Sequence, residues 1–299
     1  MKNKKEDLIH NSSIVEQDIL PEDYQFNLSD FALFLFVMKR RKAYECTLSI
    51  ILDEPNIKLA DVKVEQVVLN KSGKRAIRLD AWAMSTDNRQ FNMEMENHSK
   101  KDFLPKHSRY YQGMLDSPIL KSGKKTKYKH LPSTVIIFIT QDDLFGKDLA
   151  RYTFTEQCEE VENLHLDDGT KKIFLNMISK NGSKELVSLL QYMKETDIEN
   201  PEIVVKDERI IELDHIVTEV KESEEWEAVK MNILEVGIKK GEALGEARGE
   251  ARGLERGIEA FVLDNREENV PEERIIAKLA KRFELTEEKA NEYYKQYAK

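Results

Sequence analysis

The run Val135-Ile136-Ile137-Phe138-Ile139 constrains the fold more than any other stretch of this 299-residue chain. Consecutive apolar residues rich in β-branching read as a strand covered on both faces, because a strand with one wet face alternates instead. Such a strand belongs inside a sheet with further layers above and below it. The flanking sequence offers the material. Ser29-Asp30 opens a helical pattern through Phe31, Phe34, Leu35 and Met38, then Cys46, Leu48, Ile51 and Leu52, and this pattern stops before Pro55. Residues 62–69 and 76–84 read as strands joined by the turn Lys71-Ser72-Gly73-Lys74. After a turn at Thr86-Asp87-Asn88, Phe91, Met93 and Met95 alternate with Asn92, Glu94 and Glu96, which completes a three-stranded meander. A helix entered at Pro105 follows, over residues 103–120, and shorter strands at 152–154 and 173–175 precede a helix from Ser183 to Lys194. Helix, meander, helix and buried strand is an α/β order.

Four segments emerge. Residues 1–24 are polar and weakly patterned, as expected of a frayed arm; 25–200 carry the α/β pattern; 201–257 are strand-poor and charge-rich; and 258–299 hold three short amphipathic stretches expected to form a small helical module. Within the third segment Gly241, Gly245, Gly249, Gly253 and Gly257 recur every fourth residue among Glu, Ala and Arg. On a helix that row drifts by about 40° per step, and each glycine costs roughly 1 kcal/mol relative to alanine. The repeat is therefore either a marginal, solvated helix or an oligomerisation device in which a second segment packs along the stripe. Charge follows the same division. The chain carries a net charge of -9, but residues 201–299 hold 17 Lys and Arg against 25 Asp and Glu, so most of the acidity is C-terminal. Lys100, Lys101, Lys106, Arg109, Lys121, Lys124, Lys125, Lys127 and Lys129 face only Asp102 and Asp116 over residues 98–130. That excess marks either a solvated loop and helix face or a polyanion-binding surface. The longest apolar run, Phe31 to Met38, falls short of the roughly 20 residues that span a membrane, and no signal-peptide pattern follows the Lys-rich start, so a cytoplasmic protein is expected. Cys46 and Cys158 stand in no metal-ligand spacing and read as buried thiols.

No histidine pairing, nucleophile elbow, phosphate-cradling loop or dinucleotide fingerprint is present. The chemistry that remains is acidic. Asp80 sits in Arg78-Leu79-Asp80-Ala81-Trp82, and Glu94-Met95-Glu96 follows on the neighbouring strand across a tight turn, which lets Asp80 and Glu94 face the same way at one sheet position. Carboxylates opposed on adjacent strands repel unless a positive group lies between them. A divalent cation resolves the conflict, and hard Mg²⁺ is satisfied by one or two carboxylates, a carbonyl and retained waters. Ordinary exposed strand acids are the competing reading.

Taken in order, Arg78-Leu79-Asp80, Asn92-Met93-Glu94-Met95-Glu96, Arg109-Tyr110-Tyr111-Gln112, Phe138-Ile139, Asp143-Leu144-Phe145-Gly146, Tyr152-Thr153-Phe154 and Ile173-Phe174-Leu175-Asn176 resemble the PD-(D/E)XK nuclease family transposases, or recombination-promoting nucleases, over residues 25–200. The glycine repeat and the C-terminal helices look like tails common in that group. The resemblance implies a restriction-endonuclease-like core, a mixed central sheet flanked by helices, that cuts DNA with Mg²⁺, Mn²⁺ being the alternative. It makes Asp80 the main metal ligand, Glu94 the second acid and the Met95 carbonyl the remaining protein ligand, with Glu45 on the first helix as an auxiliary acid. Lys100, Lys101, Lys106, Arg109, Tyr110, Gln112, Lys124, Lys125 and Lys127 become candidate DNA contacts. One departure stands out. The position held by Glu96 is Lys in the superfamily and Gln in many members of this group. Glu96 then acts as a ligand or general base while Lys74, Lys100 or Lys106 supplies the positive charge, or catalysis is lost. His107 stands where an arginine is more usual. The sequence thus implies a metal-dependent endonuclease promoting recombination in a bacterial mobile-element setting; the alternative is a catalytically inactive DNA-binding or assembly protein on the same fold.

Overall fold

The computed structural model describes residues 21, 23–69, 75–97, 103–120 and 127–298. Two helices, α1 (Phe31–Met38) and α2 (Arg41–Leu52), lead into strands β1 (Leu59–Val68), β2 (Ile77–Ser85) and β3 (Arg89–Glu96). After α3 (Leu104–Asp116) come β4 (Ser133–Thr140), β5 (Arg151–Phe154), β6 (Thr170–Asn176), α4 (Lys184–Lys194) and α5 (Glu208–Lys221). The six strands form one mixed sheet in the order β1-β2-β3-β4-β6-β5. β1, β2 and β3 run antiparallel, β3, β4 and β6 run parallel, and β5 closes the edge antiparallel to β6.

The apolar run lies at the centre of this sheet. β4 is paired on both sides, and every residue from Thr134 to Thr140 is buried. Parallel strands need a crossover, and α3 supplies it between β3 and β4. Leu104, Tyr111, Met114 and Leu115 of α3 pack with Ile136 of β4 and with Phe138 and Phe174. Val135, Ile137 and Ile139 point the opposite way by strand alternation and are equally buried, while α1 and α2 pack against β1 and β2. Cys46 of α2 is buried as expected, whereas Cys158, in the loop between β5 and β6, is only half-buried.

Two of the sequence blocks prove to be joined, the loop at residues 143–146 being fastened to strand β5. Asp143 Oδ1 accepts from the Phe145 and Gly146 N–H groups at 3.1 and 3.0 Å and from the Tyr152 hydroxyl at 2.8 Å, and Oδ2 accepts from the Asp148 N–H at 2.7 Å. These donors hold its carboxyl below the usual carboxylate range against the opposing effect of burial. Gly146 turns the chain at φ +65°, where a side chain would be strained. The Phe145 ring then packs on Tyr152, Phe154 and Phe174.

The compact unit around the sheet extends from Gln25 to Ala228, beyond the boundary expected at Asn200-Pro201. The reason is α5, whose apolar face buries Ile210, Leu213, Val217 and Val220 while its other face carries the charge that made it read as linker. Trp226, 2% exposed, packs edge-on against Phe26 and Phe36. A second unit takes in residues 229–299. Its helices are the continuation of α6 (Glu224–Glu267), α7 (Glu272–Arg282) and α8 (Glu287–Tyr297), around Ile258, Val262, Ile275, Leu279 and Ala290. Thr286 caps α8 by accepting from the Lys289 N–H. Along α6, a side chain placed at Gly245, Gly249 or Gly253 would meet nothing within 4 Å. No helix of the described residues is long and apolar enough to cross a membrane.

Candidate functional site

β2 and β3 pair only over Ala81–Met84 and Gln90–Met93, although both strands continue past that ladder. The next pair in register is Asp80 opposite Glu94. There the strands part and side chains replace the main-chain bonds: the Asp80 N–H donates to Glu94 Oε1 at 3.1 Å, and the Met95 N–H donates to Asp80 Oδ2 at 3.1 Å. Each carboxylate thus fills the fork by satisfying the other strand's amide. On the far side of β2, Glu65 falls opposite Asp80 in the β1 register and takes a left-handed backbone, φ 50°. For a side chain of this kind that costs about 1–2 kcal/mol, concentrated beside the acids.

Asn92 completes the arrangement. It is fully buried, its Nδ2 donates to Glu94 Oε1 at 2.7 Å, and its Oδ1 has no partner among the described residues. Tyr44 on α2 donates to the Ala81 carbonyl at 2.8 Å, which ties the helix layer to the last paired residue of β2. Asp80 and Glu94, 8% and 6% exposed, open onto a cleft of about 590 Å³ whose wall includes Arg75, Arg78, Lys106, His107, Tyr110 and Tyr111. Asp80 Oδ1 and Glu94 Oε2 accept no hydrogen bond from the described residues.

Burial raises the pKa of both acids. Asp80 is pushed up to about 6, chiefly by desolvation; the Met95 N–H and Arg78 pull it down, and the charges of Glu96 and Glu65 push it up. Glu94 is raised well above the ordinary carboxylate value, first by burial and then by Asp80, against the opposing hydrogen bonds from the Asp80 N–H and Asn92. Burial also raises the phenols of Tyr44 and Tyr111, and Glu94 adds to both. The pair therefore carries less than its full negative charge until something positive arrives.

The other residues singled out in the sequence divide. Glu96 ends β3 beside Thr140 of β4 and acts on both acids through its charge. It does not complete a cage: among the described residues no three His, Cys, Asp or Glu side chains group as a metal site. Glu45 is placed elsewhere. Its Oε1 accepts from the Leu59 N–H at 2.9 Å and its Oε2 lies 3.8 Å from Lys58, and Leu59 pairs with Ser85 at the end of β2 remote from Asp80. Lys106 and Tyr110 line the cleft, and the Tyr110 hydroxyl donates to the Arg75 carbonyl at 2.5 Å. Arg109 is exposed but lies outside the lining, because at 100° per residue α3 turns positions 106, 107, 110 and 111 toward the acids and 109 away. Gln112 belongs to a structural clamp instead. It donates to Asp116 Oδ2 at 2.8 Å, and Asp116 Oδ1 accepts from Gln90 and Thr134 at 3.3 Å each, fastening α3 to β3 and β4. Lys127 is exposed ahead of a single 3-10 turn, and Lys74, Lys100, Lys101, Lys124 and Lys125 lie outside the described residues.

Sequence reasoning gave no role to Asn92, Tyr44 or Arg75. Asn92 alone left a signal, since an amide on the acidic face two residues before Glu94 shares that carboxylate's side of the strand. Comparison with protein-family models, curated proteins and solved structures found no match.

Proposed function

We propose that the fork between β2 and β3 is the centre of a metal-dependent endonuclease that hydrolyses phosphodiesters in DNA. The observation that carries this reading is the pair Asp80 and Glu94, buried side by side at the floor of a cleft with one oxygen of each accepting from no donor among the described residues. Two converging carboxylates are what Mg²⁺ uses when waters and substrate phosphates complete its shell, and an all-oxygen donor set suits Mn²⁺ equally. The donor set therefore fits the ion, with Asp80 Oδ1, Glu94 Oε2 and the Met95 carbonyl as its protein ligands. When bound, the cation supplies charge stabilisation at the phosphoryl group and a water of lowered pKa.

The chain's own residues do the rest. Arg75, Arg78 and Lys106 line the cleft, and they draw in a polyanion that the acids alone would repel. The Tyr110 ring, held through its hydroxyl, forms a wall against which a backbone or base can lie. Glu96 accepts a proton from the attacking water. Asn92 holds Glu94 so that one oxygen stays aimed at the cleft, and Asn92→Ala is expected to raise the Mn²⁺ concentration for half-saturation about 10- to 100-fold, measured by calorimetry. In the cell, such cuts would promote recombination of mobile elements in the cytoplasm.

Glu96 favours a second reading, a DNA-binding module without chemistry. Nicking of supercoiled plasmid with Mg²⁺ or Mn²⁺ separates the two. Cleavage by wild type that is absent in Asp80→Ala supports the enzyme, and salt-sensitive binding without cleavage supports the module. A separate part of the proposal is that copies associate through α6 and the terminal helices. Light scattering is expected to give a smaller assembly once residues 237–299 are removed, and an unchanged stoichiometry would reject it.

A further inference from the structure

The α3 wall of the cleft offers a nucleic acid more than charge, because two exposed aromatic rings, Phe103 and Tyr110, flank Lys106 along it. We propose that the cleft takes an unpaired DNA strand, whose bases stack on Phe103 and Tyr110 while the phosphates between them meet Lys106. This names the form of substrate for the site above and rests on its reading as a DNA cleft.

Phe103 immediately precedes α3, and its carbonyl accepts from the Lys106 and His107 N–H groups at 3.0 and 3.1 Å. The backbone is thus fixed while the side chain stays 61% exposed. Lys106 Nζ lies 5.6 Å from the centre of the Phe103 ring and also lines the cleft, which places that ring at the cleft mouth. Tyr110 follows one helical turn beyond Lys106 on the same face of α3. It is 38% exposed, lines the cleft, and is tied at its far end by the hydroxyl's bond to the Arg75 carbonyl. A ring held at both ends loses little freedom when a base lies on it.

Rings interleaved with a cation suit a single strand, in which every base has an aromatic face to offer and every linkage a charge. A duplex cannot use such rings in the same way, because its base faces are stacked on one another and only groove edges and phosphates are presented. The depth of the acids points to the same substrate. Asp80 and Glu94 lie buried at the floor of a cleft of about 590 Å³, the size of a pocket for one small ligand. A flexible strand carries a phosphate down to that floor more readily than a duplex, which resists the bending required.

The test is the binding of a short single strand and of the same sequence as a blunt duplex, followed by anisotropy in EDTA so that no cleavage intervenes. A fluorescent aminopurine in the strand reports stacking. Wild type is expected to bind the single strand at least about tenfold more tightly than the duplex and to change the aminopurine signal. Phe103→Ala and Tyr110→Ala are each expected to weaken single-strand binding about tenfold with the salt slope unchanged, because a stacked ring releases no counterion. Phe103→Trp and Tyr110→Phe keep a ring and are expected to bind within about threefold of wild type. The Phe103 side chain is exposed, so its variants are expected to melt at the wild-type temperature. In Mg²⁺, negatively supercoiled plasmid, which opens unpaired segments, is expected to be nicked faster than the relaxed circle. Equal affinity for the two forms, or wild-type binding by Phe103→Ala and Tyr110→Ala, overturns this inference and leaves the nuclease reading intact. Ring-dependent binding of the single strand without any cleavage in Mg²⁺ or Mn²⁺ overturns the nuclease reading and supports the stacking site. Binding of neither form overturns both.

Discussion

Asp80→Asn is expected to abolish nicking, by at least about 10³-fold, and at the same time to make the metal-free protein more stable at pH 8. The two effects share one cause. Asp80 is 8% exposed, and burial pushes its carboxyl from 3.8 up to about 6, which corresponds to about 3 kcal/mol held against the ionised form. The asparagine oxygen can still accept from the Met95 N–H, so the fork keeps its geometry while the buried charge disappears. For a unit of this size the gain in Tm is about 6–12 °C, read by calorimetry in EDTA. A surface aspartate would give neither result.

The second large effect is a pH dependence that a divalent ion reverses. Below the unfolded value of 3.8, Asp80 is protonated in both states and its contribution to folding is complete. As the pH rises from there through about 6, the unfolded chain gives up the proton first, and stability falls by up to about 3 kcal/mol. Glu94, raised further by burial and by Asp80, extends the decline to higher pH. Under the proposed function Mn²⁺ would bind the ionised pair, so it is expected to raise Tm strongly at pH 8 and hardly at all at pH 4.5. In Asp80→Asn both the decline and the rescue should shrink. A Tm gain from Mn²⁺ that is equal at the two pH values would place the ion elsewhere.

Much of this was legible in the residue pattern, and the exceptions are physical. The Val135–Ile139 run led to a central strand because five apolar side chains need cover on both faces, and β4 has it. Asp80 and Glu94 were legible as neighbours because a tight turn fixes the register of a hairpin. Their place in a fork, with each acid bonded to the other strand's amide, was not, since nothing in strand alternation marks where a ladder stops. Gln112 and Arg109 shared a motif with Tyr110, but helical phase sends each to a different environment. Glu45 was drawn to the start of β1 by the amide of Leu59, a long-range contact that leaves no local trace. The charged face of α5 concealed its apolar face, so the sheet-bearing unit reads shorter in sequence than it is.

The central claim is that Asp80 and Glu94 share one cation, and anomalous diffraction from crystals grown with Mn²⁺ at pH 8 tests it most directly. The account predicts a single strong peak touching Asp80 Oδ1 and Glu94 Oε2, and no peak there in Asp80→Asn. A fork left empty at saturating Mn²⁺, or a peak held by other side chains, would contradict it.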